Sequence, residues 1–215
     1  MLFTFSEALF FLRILGHLKL IACAVNGLYV LSASENGFDN GCIINTFSQV
    51  TDTPLRVSVT INKSNKTCEM IERTGKFNVS ILSEDVSFDT FKHFGFQSGR
   101  DVNKFDGYTD VKRSENGILY LTSCSNGFVS GKVIQTIDVG THLIFIAEVE
   151  DCDILSDVPS VTYDYYHKNI KPKPQEEKKG GYRCKICGYV YEGEPLPADF
   201  ICPLCKHGAD DFEKI

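Results

Sequence analysis

Apolar and polar positions along this chain alternate mainly with a period of two. Residues 55–61 run Leu-Arg-Val-Ser-Val-Thr-Ile, the alternation of a half-buried strand. Residues 28–34 and 77–82 read as further strands, and residues 118–121 add a brief apolar one. Residues 128–139 and 142–155 are two long runs separated by Gly140-Thr141, which predicts a hairpin. Turn-forming residues gather at Glu35-Asn36-Gly37 and again at Asp39-Asn40-Gly41. Helical spacing occurs twice. Thr67 is placed to cap a short helix containing Met70 and Ile71 that Gly75 closes, and residues 87–94 put Phe88, Phe91 and Phe94 on one face. Many short strands, few helices and no strand–helix–strand rhythm predict a mainly β fold, an antiparallel barrel with small helical insertions.

The pattern breaks at residues 169–181, NIKPKPQEEKKGG. Two prolines, a run of charges and a glycine pair make a linker, which extended would reach about 40 Å at roughly 3.3 Å per residue. It separates a barrel over 17–168 from a small module over 182–215. Residues 1–16 form an N-terminal extension of unknown role. They are apolar, but Glu7 precedes Arg13, the wrong charge order for a signal peptide. No stretch reaches the roughly 18 uninterrupted apolar residues of a membrane span, so an extra amphipathic helix or an early start codon is expected instead.

Composition narrows the function classes. The 215 residues are 43% hydrophobic, which supports a packed core, and the formal net charge of −6 argues against a general nucleic-acid binder. Nine cysteines, an odd number with one tight cluster, suit a metal site in a reducing compartment better than a disulfide framework. A cytoplasmic location is expected, and the sequons at Asn62, Asn65 and Asn78 then read as chance matches.

The cluster is two C-x-x-C pairs, Cys184/Cys187 and Cys202/Cys205. Each pair lets two sulfurs face one cation, with Gly188 supplying a positive φ after the second ligand and Pro203 pre-setting φ in the other turn. Four thiolates in a tetrahedron select zinc or iron, and a module of this size needs such a staple. By ligand type alone, a structural zinc ribbon is the better reading. The segment YRCKICGYVYEGE…LPADFICPLCKHGADDFEKI, however, closely resembles a rubredoxin of the shortened kind found at the ends of larger redox proteins. That resemblance implies one iron, with Tyr182, Tyr189, Phe200 and Phe212 as the aromatic core. Two features depart from the family. The loop between the pairs is short, and Lys206 stands where a second glycine often follows the last cysteine, at an expected cost of roughly 1 kcal/mol if φ is positive.

Nucleotide motifs are missing from the rest. No G-x-G occurs, and Gly127-Phe-Val-Ser-Gly131-Lys132 is one residue short of a P-loop, with Val133 in place of Ser or Thr. Four separated segments nevertheless resemble the flavin reductase family with the FMN-binding split β-barrel. They are Asn40 to Thr51, Arg56 to Thr67, Phe94 to Asp101 and Gly140 to Val149. The resemblance covers roughly residues 24–166 and implies FMN as cofactor and NADH or NADPH as electron donor. Hydroxyl, amide and ammonium donors suited to a phosphate and a ring edge are Asn45, Thr46, Ser48, Gln49, Thr60, Asn62, Lys63 and Thr67. His142 is implied to lie near the flavin and the nicotinamide. Taken singly, Asn62 to Thr67 reads equally as a polar turn, and His142 as a structural histidine.

The whole arrangement resembles the high-molecular-weight rubredoxin family, a flavin reductase domain fused to a rubredoxin. The resemblance implies a homodimeric NAD(P)H-dependent oxidoreductase. Electrons would pass through FMN to the iron site and on to a flavo-diiron protein that reduces oxygen or nitric oxide. Two alternatives stay open: a flavin or ferric reductase with a structural zinc ribbon, and a non-enzymatic electron carrier or flavin sensor.

Overall fold

A computed structural model describes residues 26–172 and 181–215; the extension 1–16 and most of the linker lie outside the described residues. The strands are β1 (Tyr29–Glu35), β2 (Phe38–Ile44), β3 (Phe47–Asp52), β4 (Leu55–Asn62) and β5 (Lys76–Leu82), followed by β6 (Val111–Arg113), β7 (Leu119–Leu121), β8 (Ser125–Asp138) and β9 (His142–Ile154). Helix α1 (Lys66–Thr74) joins β4 to β5, and α2 (Phe88–Gly95) follows β5. One turn, α3 (Tyr163–Tyr165), continues as a π-helical turn through Tyr166–Ile170, two residues into the segment read as linker.

Seven strands form one antiparallel sheet in the order β2-β1-β5-β8-β9-β4-β3. The sheet curls. Cys42 and Ile44 from one edge and Val57, Val59 and Ile61 from near the other enter one core with Phe77, Phe145 and the apolar side of α1. Tyr29 of β1 meets Phe47 of β3 edge to face at 5.2 Å, although no ladder joins those strands. This is a split barrel closed by side chains rather than by hydrogen bonds. A second core, with Leu28, Val30, Phe91, Phe94, Leu121 and Tyr166, covers the opposite face of β1 under α2 and α3. β1 and β5 are therefore buried on both faces.

Two local expectations are corrected. Asn36 and Gly37, with φ of 53° and 80°, form the hairpin turn, but Asp39-Asn40-Gly41 lies inside β2. Tertiary partners overrule its turn chemistry. Asp39 receives both guanidinium nitrogens of Arg113 at 3.0 and 2.7 Å. A Cβ on Gly41 would stand 3.2–3.3 Å from Phe105, Phe94 and the Leu31 carbonyl. Likewise Asn65, not Thr67, is the N-cap of α1; Thr67 is fully buried within its first turn. Gly75 closes that helix as expected, in the left-handed conformation.

Lys104 is only 2% exposed and donates to the carbonyls of Gly41 (2.9 Å) and Phe94 (2.8 Å). Burial pushes its pKa down. It ties the end of α2 to β2 and so fixes the loop that follows, Phe96 to Val102.

The C-terminal module is a three-stranded sheet, β11 (Val190–Tyr191), β10 (Tyr182–Cys184) and β12 (Phe212–Lys214). Phe200 packs on Tyr191 at 4.6 Å and on Phe212 at 5.4 Å. The expected aromatic residues all join this core, with Tyr191 and the aliphatic Leu196 and Leu204 beside them. The module touches the barrel. Phe96, from the loop after α2, packs into the module's own apolar cluster.

Candidate functional site

Cys184, Cys187, Cys202 and Cys205 are buried, and their sulfurs lie within 4.8 Å of one another. The closest pairs, Cys184–Cys205 and Cys187–Cys202, are 3.5 Å apart. That is too far for a disulfide and near the roughly 3.8 Å edge of a tetrahedron built on 2.3 Å metal–sulfur bonds. The two C-x-x-C turns repeat each other. Gly188 donates its N–H to the Cys184 carbonyl and Lys206 donates to the Cys202 carbonyl, both at 2.9 Å. Gly188 and Lys206 are thus equivalent positions, with φ of 82° and 63°. The lysine accepts the left-handed backbone that its twin meets with a glycine.

An all-sulfur donor set of this size and geometry fits iron or zinc. Burial pushes the Cys187 thiol up to about 11 and also raises Cys205. Backbone N–H groups of Cys205 and Leu204 hold Cys202 low against the same burial. Thiols with raised pKa values hold their protons at neutral pH, so a metal must displace them. Affinity for cobalt(II) or zinc should therefore fall steeply as pH is lowered from 8 to 5.5, by more than tenfold per pH unit. A chelator-competition titration measures this, and a pH-independent affinity would show that the thiols are already ionised.

The flavin-type residues gather on the barrel's outer face. In β4, Val57, Val59 and Ile61 point into the core and Ser58, Thr60 and Asn62 point out. Directly opposed residues share a face. Ser48 pairs with Ser58, Thr60 with Ile144, and Asn62 with His142. The Thr46 hydroxyl donates to the Thr60 carbonyl, and Asn45 and Thr46 connect β2 to β3. Asn45, Thr46, Ser48, Thr60, Asn62 and His142 thus form one contiguous stripe. Gln49 stands on the exposed edge strand with its amide toward the Thr51 carbonyl. The Asn62 side chain holds the following turn by accepting from the N–H and hydroxyl of Ser64, both at 2.9 Å. The Lys63 ammonium is engaged by Asp138 at 2.6 Å, whose carboxyl that contact holds below the usual range. The His142 ring is bonded to the Thr141 hydroxyl at 2.8 Å.

Thr67 lies apart from the stripe. Its hydroxyl is buried and faces the buried Cys42 thiol in the barrel core. Beside it, a cleft of about 560 Å³ lies between the barrel and the metal module. One wall is Ser64 to Lys66 with the loop Gly95 to Gly99, and the other is Cys205, Lys206 and His207. Arg100 holds the barrel wall together by bonding the Glu69 carboxylate and the Ser64 carbonyl. Sequence reasoning missed this cleft. Its one signal was Phe96, an aromatic residue beside Gly95 in a loop whose packing partners lie about a hundred residues further on.

The sequence profile of the "Flavin reductase like domain" matches residues 21–173, and that of the "Rubrerythrin, rubredoxin-like domain" matches residues 182–213. The chain is 36% identical to a high molecular weight rubredoxin from Moorella thermoacetica, over 88% of this chain and 95% of that protein. It is 34% identical to a ferric-chelate reductase (NAD(P)H) from Archaeoglobus fulgidus, over 68% of this chain and 86% of that one. Among solved structures, an NADH:FAD oxidoreductase of Streptomyces globisporus superimposes with a TM-score of 0.61 at 18% identity, covering 68% of this chain and 86% of its own. A flavoredoxin from Methanosarcina acetivorans gives 0.56 at 22%, covering 61% and 70%.

Proposed function

The chain belongs to the flavin reductase-like family and carries a rubredoxin-like module behind its barrel, and from that premise we propose that it is an NAD(P)H-dependent oxidoreductase passing electrons through FMN to a four-cysteine iron site. The observation that supports this most directly is the packing of the four-thiol module, through Phe96, on the same barrel that carries the polar stripe. The acceptor beyond the iron would be a protein of flavo-diiron type, in a reducing cytoplasm. No helix among the described residues is long and apolar enough to cross a membrane.

Bound FMN would supply the ability to accept a hydride as an electron pair and to release electrons one at a time, which matches a two-electron donor to a one-electron metal. The chain's residues do the positioning. Asn45, Thr46, Ser48 and Thr60 offer hydroxyl, amide and backbone groups along the outer face of β3 and β4. Asn62, Lys63 and Thr67 provide a cation and polar donors suited to a phosphate at the start of α1. His142, opposite Asn62, stands where it can orient the donor. The four cysteines would hold the iron in a buried, all-sulfur site.

Exposed apolar residues Val50 and Leu55 on the β3–β4 hairpin and Ile134, Ile137 and Val139 on the β8–β9 hairpin support a homodimer. Their hairpins flank the stripe, so a second copy would shelter it.

Two measurements test the reading. The purified protein should be red from a ferric four-thiolate site, whereas a colourless module would favour the flavin or ferric reductase with structural zinc. Lys63→Ala should weaken FMN by roughly tenfold, about 1.4 kcal/mol, because loss of the ammonium also leaves Asp138 facing the phosphate. If riboflavin and FMN bind the wild type equally, Asn62, Lys63 and Thr67 form no phosphate site.

A further inference from the structure

Lys206 holds a left-handed backbone that its counterpart Gly188 adopts without cost. A strained residue at an otherwise repeated position is retained where its side chain does something the easy residue does not. Lys206 lines the interdomain cleft, opposite Ser64, Asn65 and Lys66. These follow directly on Asn62 and Lys63, where the phosphate was placed above. Among the described lining residues the one carboxylate is Asp101, and Lys66 is ion-paired with Glu69 at 3.7 Å.

One buried polar group next to this cleft has no partner among the described residues. It is the Asn40 amide, both of whose side-chain heteroatoms are unsatisfied. It lies directly beneath the cleft wall, where a Cβ on Gly99 would overlap it. The barrel supplies Lys66 on its own wall; the cation lining the other wall is Lys206 of the module.

We propose that Lys206 is a phosphate-binding residue of the flavin site, contributed by the metal module to its own chain's barrel. The inference rests on the FMN reading above and deepens it. The module is more than the next station for electrons; its second C-x-x-C turn completes the pocket that feeds it. Bound cofactor would then help hold the module in place, because Lys66 and Lys206 would share its anion. The ligand is a phosphate ester, and its source is either the flavin or the nicotinamide dinucleotide.

The test uses full-length, metal-loaded protein freed of flavin. FMN and riboflavin are titrated by flavin fluorescence, and ADP-ribose is titrated onto FMN-saturated protein. Lys206→Gln should weaken FMN about three- to fivefold, the scale of an exposed ion pair, and leave riboflavin unchanged. The difference should vanish at 1 M salt, and Lys206→Arg should retain wild-type affinity. Weakening confined to ADP-ribose would support the site with the donor's phosphate as its occupant. Unchanged affinity for both phosphate ligands, with the metal chromophore intact, would overturn the proposal. Wild-type protein that binds riboflavin as tightly as FMN would instead remove the flavin-phosphate reading, and the ADP-ribose titration would then decide the role of Lys206 alone.

Discussion

Cys205→Ser should abolish the metal centre and unfold residues 181–215 while the barrel keeps its own thermal transition. The module's core is four cysteines, Phe212 and a shell of half-buried aromatics, too little apolar area to offset the ordering of some 35 residues. Metal binding in comparable small modules is worth on the order of 10 kcal/mol, so losing one of four ligands removes most of what folds it. A serine hydroxyl does not ionise near neutral pH and would leave three crowded thiols in an apolar pocket. The barrel has two cores of its own and loses only the cover over Phe96. Visible absorption reports the first loss, and near-UV circular dichroism with a thermal melt separates the second from the barrel. FMN affinity should drop only by the share that Lys206 contributes. Complete loss of FMN, or of the barrel's transition, would mean that the two units fold as one.

The cysteines were legible because their geometry is local. Two four-residue C-x-x-C turns fix the sulfurs in pairs, and the structure brings all four together. The alternation in β4 was legible for the same reason: adjacent residues on opposite faces see core or solvent. β2 was not, because Asp39-Asn40-Gly41 carries every mark of a turn. Arg113, some seventy residues on, Lys104 on the Gly41 carbonyl, the ring of Phe105 and the ladder to β1 keep that segment in the sheet. Thr67 misled similarly. A threonine near a helix start is a good cap, but Asn65 lies two residues earlier, and the core takes Thr67 instead. The linker's proline and charge content suggested two independent bodies. Nothing local says that Phe96 will enter the module's core, so the shared cleft appears only once both units are placed. Lys206 was the exception, a departure from glycine visible in the sequence whose positive φ the structure bears out.

Ending the chain after Lys171 should preserve flavin reduction by NAD(P)H and nearly abolish electron delivery to an added flavo-diiron acceptor. The end point matters. Tyr166 is buried against Phe91 at 4.4 Å, and Lys171 donates its N–H to the Tyr166 carbonyl at 2.8 Å. A cut at Tyr166 itself would therefore strip the last turn from the second core and confuse loss of transfer with loss of folding. With that turn kept and FMN in excess to offset the missing Lys206, the residues that hold the flavin and orient the donor are all present. Anaerobic bleaching of the flavin should run at the full-length rate. His142→Ala in the intact chain should do the reverse, slowing bleaching severalfold and leaving the metal spectrum unchanged. Residues 181–215, supplied as a separate iron-loaded peptide, should restore part of the delivery to the acceptor. Recovery should be incomplete at low micromolar peptide, since a tether of this length holds the module at an effective concentration on the order of millimolar. If the shortened chain serves the acceptor as well as the intact one, the module is not on the electron path. The four thiols then hold a structural zinc, and the barrel works as a flavin or ferric reductase alone.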